Sequence, residues 1–360
     1  MTSSKTRKRS QPRHALSSKT KKLTNAATVK KLVVKPVMTE AECAKKEGDF
    51  FNADNYSQII GGTNIDVYYI DDSSETPDRE VLLFKLRHGV IPDSLAVPAF
   101  GALKQQAKKL NGNRGAAAGK IKLKSLFSHI NADNIVKRSK YRVFYKTKSG
   151  EVSKDHSSNK VRSNIIGYFD MPDRNLIGKG IKNPPQCRQT QFTRDAVDKW
   201  KLALPLIQKA NDQFRALVPD RWKIQHDRAS KTPDFQILDT AYSTVTINYN
   251  YRSANHKDAG DLEEGFGNLV VLEKNRCEPG TEIYGYDGGF LGFPRFGIAV
   301  DVRQGDYLAM NVHEWHANTA LICKCPKGEK CKDEAHYGRL SLVCYLRKNM
   351  IVCAKSGHHN

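Results

Sequence analysis

His256 and Asp258, separated only by Lys257, set an imidazole and a carboxylate in one short segment, and His316 offers a second imidazole downstream. Arg339 follows at the head of the run Arg339-Leu-Ser-Leu-Val-Cys-Tyr345. Two imidazoles and one carboxylate make a facial triad, and the coordination positions it leaves open suit a non-haem Fe(II) that binds O2 and a chelating co-substrate. These residue types at this spacing point to oxygenase chemistry.

Such residues work only when rigid elements aim them. Tyr242 to Asn250 alternates polar and apolar residues as a half-buried strand does, so the His-x-Asp begins where that strand ends. Gly267 to Leu272, Phe296 to Asp301, Asp306 to Asn311 and Leu340 to Tyr345 are short apolar segments separated by Gly, Pro and Asp turn signals. That rhythm predicts an α+β chain with a double-stranded β-helix (jelly-roll) core, in which several strands point ligands into one mouth. Val81 to Leu86 and Ser163 to Phe169 read as further strands. Pro98 to Leu110 and Thr193 to Leu217 read as helices, expected to flank the core, while residues 71–79 and 128–160 read as loops. The division expected is a basic disordered tail over 1–38, an N-terminal extension of the catalytic domain with a basic segment over 39–160, and the β-helix core over 161–360.

The chain of 360 residues carries a formal net charge of +21. Residues 1–39 hold 11 Lys and Arg and no acid, and Lys5-Thr-Arg-Lys-Arg9 reads as a nuclear address or a nucleic-acid contact. Between Lys104 and Gly150 there are 13 further Lys or Arg against Asp133 alone, a density that suggests phosphate contacts. No stretch has the length of a transmembrane helix, and the N-terminus lacks the apolar region of a secretory signal, so a soluble intracellular protein is expected. Eight cysteines without the spacing of a disulfide framework fit a reducing compartment.

Six separated motifs then occur in one order: Asn255-His-Lys-Asp-Ala-Gly-Asp261, Gly265-Phe-Gly-Asn-Leu269, Phe293-Pro-Arg-Phe-Gly-Ile-Ala-Val300, Gly305-Asp306, His313-Glu-Trp-His-Ala-Asn-Thr319 and Arg339 to Tyr345. Together they resemble the TET/JBP family of Fe(II)/2-oxoglutarate-dependent DNA base dioxygenases over about residues 160–350. Asn113-Arg-Gly-Ala-Ala-Ala-Gly119 is similar to the compact fungal and protist members. No Cys-rich or zinc-finger segment precedes the core, so targeting is expected to come from elsewhere.

The resemblance implies that His256, Asp258 and His316 bind Fe(II), with His316 preferred to His313 because the family's distal ligand precedes a small residue and Asn or Thr, as in His316-Ala-Asn-Thr319. Positions 313 and 316 of a strand face opposite ways, so only one reaches the metal. Arg339 corresponds to the family's 2-oxoglutarate arginine, whose guanidinium grips a carboxylate bidentately. Asn248 and Arg252 match additional co-substrate contacts, or simply satisfy a strand end. Tyr345 matches the aromatic that stacks on a flipped base, and Thr246 and Val343 match positions near its methyl group. Asp261 matches the position that accepts the cytosine N4 hydrogen bond. Arg347 stands where well-known relatives have a His that contacts the base, which opens the choice of base.

The implied activity is oxidation of 5-methylcytosine in duplex DNA to 5-hydroxymethylcytosine and further oxidised forms, a DNA demethylation chemistry in the nucleus. Fe(II), 2-oxoglutarate and O2 are the reactants implied. The alternatives are thymine or N6-methyladenine as the base, a protein or RNA hydroxylase, and a DNA-binding module without activity. Cys323, Cys325, Cys331 and His336 supply enough soft ligands for a structural Zn2+, but their spacing is not that of a standard finger. The sequence reading leans instead toward a mobile basic loop of free thiols.

Overall fold

Strands with both faces buried read as continuous apolar runs, and Gly267–Glu273 is the clearest case, since all seven of its residues are buried. The computed structural model describes residues 21–71, 79–121, 131–153, 157–172, 174–182, 186–331 and 333–355. The strands that matter to the site are β1 (Lys21–Val34), β2 (Gln58–Ile70), β3 (Glu80–Arg87), β4 (Ser163–Phe169), β5 (Thr244–Tyr249), β6 (Gly267–Glu273), β7 (Leu291–Phe293), β8 (Ile298–Asp301), β9 (Tyr307–Met310), β10 (Ala317–Asn318) and β11 (Arg339–Tyr345). They lie in one curled sheet of twelve strands with the path β10-β7-β8-β2-β3-β9-β6-β11-β5-β4.

Two layers are joined in that path. β9, β6, β11 and β5 are antiparallel neighbours and form one wall. β8, β7 and β10 form the other, extended by a bridge between His256 and His316. This is the eight-stranded arrangement of a double-stranded β-helix, as expected. β2 runs parallel to β8 and antiparallel to β3, which in turn pairs with β9, so the two walls are stitched along one side.

Alternation sorts the side chains. Leu269 and Val271 of β6 and Leu308 and Met310 of β9 point between the walls, where they meet Ile60, Val67, Phe293 and Val300. Val270 and Leu272, with Val245 and Ile247 of β5 and Leu340 and Leu342 of β11, point outward onto the helices. Those helices are α1 (Asp93–Ala107) and α2 (Val197–Leu217), whose Phe100, Leu103, Leu206, Ile207 and Phe214 complete the outer core. Each such apolar side chain contributes about 1.5–3 kcal/mol when fully withdrawn from water.

Several elements differ from expectation. α1 starts at Asp93 after Pro92 and carries Pro98 inside it, because an interior proline removes only one backbone bond when packing holds the rest. The long helix expected from Thr193 breaks at Ala196, whose backbone leaves the helical region (φ −119°, ψ 51°), into Gln191–Asp195 and α2. Lys21–Val34, within the stretch expected to be a disordered tail, is a strand parallel to β2, with Leu32 and Val34 packed on the core between its lysines. The Lys5–Arg9 motif lies outside the described residues, as does most of 71–79. Ile135–Arg138 and Val143–Tyr145 make a short hairpin within the region read as loop. Cys187 and Cys353 are disulfide-bonded, a departure from wholly reduced thiols, and the other six cysteines are free. Among the described residues no helix is long and apolar enough to cross a membrane.

Candidate active site

His256 and His316 face each other across a backbone bridge, each N–H donating to the other's carbonyl at 3.1 and 3.0 Å. That pairing sets their rings 4.2 Å apart, centroid to centroid. The Nδ1 atoms lie 2.8 and 2.9 Å from the carbonyls of Ala254 and Glu314, which can only accept, so Nδ1 carries the proton and Nε2 keeps its lone pair. Both Nε2 atoms are aimed at Asp258, 3.4 Å from Oδ1 for His256 and 3.8 Å from Oδ2 for His316. The three ligand atoms fall within 4.8 Å of one another, an arrangement that a divalent cation satisfies.

Electrostatics agree with that use. Burial and the neighbouring His256 hold His316 down at about 4, so it stays neutral near pH 7. Burial opposes ionisation of Asp258, but the adjoining His256 and His316 imidazoles and the Arg114 guanidinium hold its carboxyl well below the usual range. His313 turns away, and its Nε2 lies 3.1 Å from the Leu262 carbonyl. It braces the loop after the His-x-Asp.

The segment 254–258 is itself held from the N-terminal extension. Ala254 N–H donates to Ala117 O at 2.9 Å, Asn255 N–H to Asp49 O at 2.8 Å, and the Asn255 side-chain amide to Cys43 O at 3.1 Å. Gly119 has φ +83°, and a Cβ there would press on the Phe50 ring, so glycine permits this close approach.

Arg339, Ser341, Val343 and Tyr345 share the inner face of β11, opposite Asn248 and Thr246 of β5. Arg339 is buried, and its Nε and Nη2 have no hydrogen-bond partner. Burial holds its pKa below the ordinary arginine value, yet a guanidinium remains cationic at any physiological pH. An unpartnered buried cation is costly unless an anion joins it, and a carboxylate is the matching shape. Space is kept beside it, since a Cβ on Gly289 would stand 3.3 Å from Arg339 Cδ. Nearby Arg303 is already neutralised by Asp301 and Glu273.

Asn248 takes a hydrogen bond from Ser163 and donates to Ser341 Oγ at 3.2 Å. Arg252 donates to Phe51 O at 2.8 Å and to Asn52 Oδ1 at 2.7 Å, so its head group fastens the N-terminal extension.

At the other end of the inner face, Tyr345 Oη lies 3.2 Å from Thr246 Oγ1, and Asp261 is bridged to Arg347 through the backbone. Burial and the charge of Asp258 push the Asp261 carboxyl well above the usual range, against the pull of Arg347 and Arg114. Arg347, expected to meet the base, is bound to the buried Asp170 and lies 4.5 Å over the Phe169 ring.

Arg114 was missed as a site residue. Its Nε and Nη2 are buried without partners, and its charge acts on Asp258, Asp261 and Tyr345. The signal lay in Asn113 to Gly119, read from sequence as a phosphate-binding stretch because it sits among lysines.

Residues 177–348 match the Tet_JBP family, the oxygenase domain of the 2OGFeDO superfamily. Thymine dioxygenase JBP1-B of Trypanosoma cruzi (strain CL Brener) is 32% identical over 186 residues, covering 51% of this chain and 19% of the relative. Thymine dioxygenase JBP1 of Trypanosoma brucei brucei is 31% identical over the same length and shares. The chain thus spans about a fifth of the length of these curated relatives. The solved structure of NgTET1 in complex with 5mC DNA aligns over 79% of this chain and 77% of that chain, with a TM-score of 0.43 and 12% identity. Residues 177–348 thus carry the match to the Tet_JBP oxygenase domain of the 2OGFeDO superfamily.

Proposed function

We propose that this protein hydroxylates the C5 methyl group of 5-methylcytosine in duplex DNA, using Fe(II), 2-oxoglutarate and O2. The observations that carry the reading are the converged His-Asp-His group and the buried Arg339 guanidinium on the inner face of β11, whose Nε and Nη2 have no hydrogen-bond partner. His256 and His316 would hold the metal through Nε2, and Asp258 through its carboxylate. Arg339 would pair with the distal carboxylate of 2-oxoglutarate, and Asn248 and Ser341 line the wall between the two positions. When bound, Fe(II) supplies the activation of O2. In the net reaction 2-oxoglutarate loses CO2 to become succinate, and the two atoms of O2 are divided between succinate and the new hydroxymethyl group.

The remaining residues position the base. A stacked base is out of reach, so the nucleotide must leave the duplex and enter the pocket. Tyr345 would stack on its ring, Thr246 and Val343 would border the methyl group, and the Asp261 carbonyl oxygen would accept from N4. Arg347, ion-paired with Asp170, would support this pocket indirectly. The exposed Lys137, Arg138 and Lys140 of the basic segment would meet phosphates. The nucleus follows as the compartment for a DNA substrate.

Thymine is the second reading, and two observations favour it. The JBP1 relatives at 31–32% identity are named thymine dioxygenases, and burial with the charge of Asp258 raises the Asp261 carboxyl, which in its protonated form would offer thymine O4 a donor. The test is mass spectrometry of nucleosides from methylated duplex DNA incubated with the protein, Fe(II) and 2-oxoglutarate. The proposal expects 5-hydroxymethylcytosine, absent with Asp258→Ala. Products on thymine alone would move the assignment to the second reading, and no oxidised base from an iron-loaded protein would reject both.

A further inference from the structure

The insert between His316 and Arg339 carries a second set of metal-ligating side chains. Cys323, Cys325, Cys331 and His336 bring three sulfurs and one imidazole nitrogen within 4.8 Å of one another. All three cysteines are buried, and all three are free thiols. In a tetrahedral site with metal–sulfur bonds of about 2.3 Å, the sulfurs stand roughly 3.8 Å apart, so the cluster is already close to that size. Ligands this close surround one ion and leave no room for an iron–sulfur cluster. An odd number of thiols is not consumed by disulfide formation.

The neighbours are arranged as metal ligands require. The Cys325 N–H donates to Cys323 Sγ at 3.4 Å. His336 presents Nδ1 to Cys331 Sγ at 3.5 Å, while its Nε2 faces the Asp333 carboxylate at 3.5 Å. A carboxylate on the far nitrogen fixes the tautomer and frees the near nitrogen for a metal. The Tyr284 ring stands edge-on to His336 at 5.4 Å, and Tyr337 packs beside the sulfurs.

We propose that these four residues form a structural Zn2+ site that fixes the start of β11 and so the placement of Arg339. Three thiolates and one imidazole fill a tetrahedral sphere, which leaves no position for substrate. The site lies where two pieces of chain need fastening. Tyr286–Gly288 pairs with Leu321–Cys323, the Tyr284 N–H donates to His336 O at 2.6 Å, and the Lys274 N–H donates to Gly338 O at 2.8 Å, one residue before Arg339.

The test is the metal content of the full-length protein, measured by inductively coupled plasma mass spectrometry after dialysis against a weak chelator. One zinc per chain is expected, released by a mercurial thiol reagent and reduced to background in the Cys325→Ser/Cys331→Ser double variant. The same zinc should persist in Asp258→Ala, which separates it from zinc captured by the His-Asp-His group. Cobalt substituted into the wild-type protein should show thiolate-to-metal charge transfer. If the double variant does not fold, mercurial release and the cobalt spectrum of the wild type decide. Folded wild type that takes up no zinc when titrated with it, full zinc in the double variant, or zinc lost in Asp258→Ala would each overturn the proposal.

Discussion

Leu340, Leu342 and Cys344 on one face of β11 alternate with Arg339, Ser341, Val343 and Tyr345 on the other, yet the two sets meet different surroundings. The outer set packs with α1 and α2 in the outer hydrophobic core. The inner set holds an unpartnered cation at one end and a hydroxyl-bearing aromatic at the other. A period of two thus lets one strand serve stability and chemistry separately. The comparison teaches that a residue's neighbour in sequence is a poor guide to its role here, whereas its parity is a good one.

The largest effects should come from the proposed metal ligands. Asp258→Ala and His316→Ala should each abolish succinate release and iron retention, whereas His313→Ala should keep its iron. Iron lost from the His313 variant but kept by the His316 variant would exchange their roles.

Arg339→Ala and Leu342→Ala then form a matched pair from opposite faces. The first should weaken 2-oxoglutarate by about 2–5 kcal/mol, read from the co-substrate dependence of succinate release, as expected when one member of a buried charge pair is removed. The second should cost about 2–5 kcal/mol of stability in denaturant titration and leave the 2-oxoglutarate dependence unchanged. If Leu342→Ala shifts co-substrate affinity as strongly as Arg339→Ala, the two faces are not separate.

Smaller effects belong to the base end. Tyr345→Ala should weaken productive DNA binding by about 1–3 kcal/mol, the usual worth of a base stacked on an aromatic ring, with iron and co-substrate retained. Asp261→Asn should narrow the preference between 5-methylcytosine and thymine by about 1 kcal/mol, measured by competition in one duplex. A preference that does not move would take Asp261 out of base selection.

Parity also explains what could be read from the sequence. β5, β6 and β11 were legible because alternation or a continuous apolar run marks a strand locally, and the His-x-Asp at the end of β5 came with it. β10 has only two residues, too few to carry a period. β2 was missed because its glycines and polar residues blur the pattern, and its partner β8 lies far along the chain. The same distance hid the commitments of Arg252 to Phe51 and Asn52 and of Arg347 to Asp170, since charge patterning does not reveal which guanidinium is already taken. Arg114 shows the converse, a cation whose lack of partner is visible only once the fold closes around it.

On the proposed function, 2-oxoglutarate bound at Arg339 is coupled to oxidation of a methylated base at Tyr345. The most direct measurement is to supply isotopically labelled O2 with a duplex containing 5-methylcytosine and thymine, then quantify label in the digested nucleosides against succinate. The account predicts labelled 5-hydroxymethylcytosine accumulating in step with labelled succinate, both lost in Asp258→Ala. Succinate formed at the same rate without DNA, with no label in any base, would contradict it.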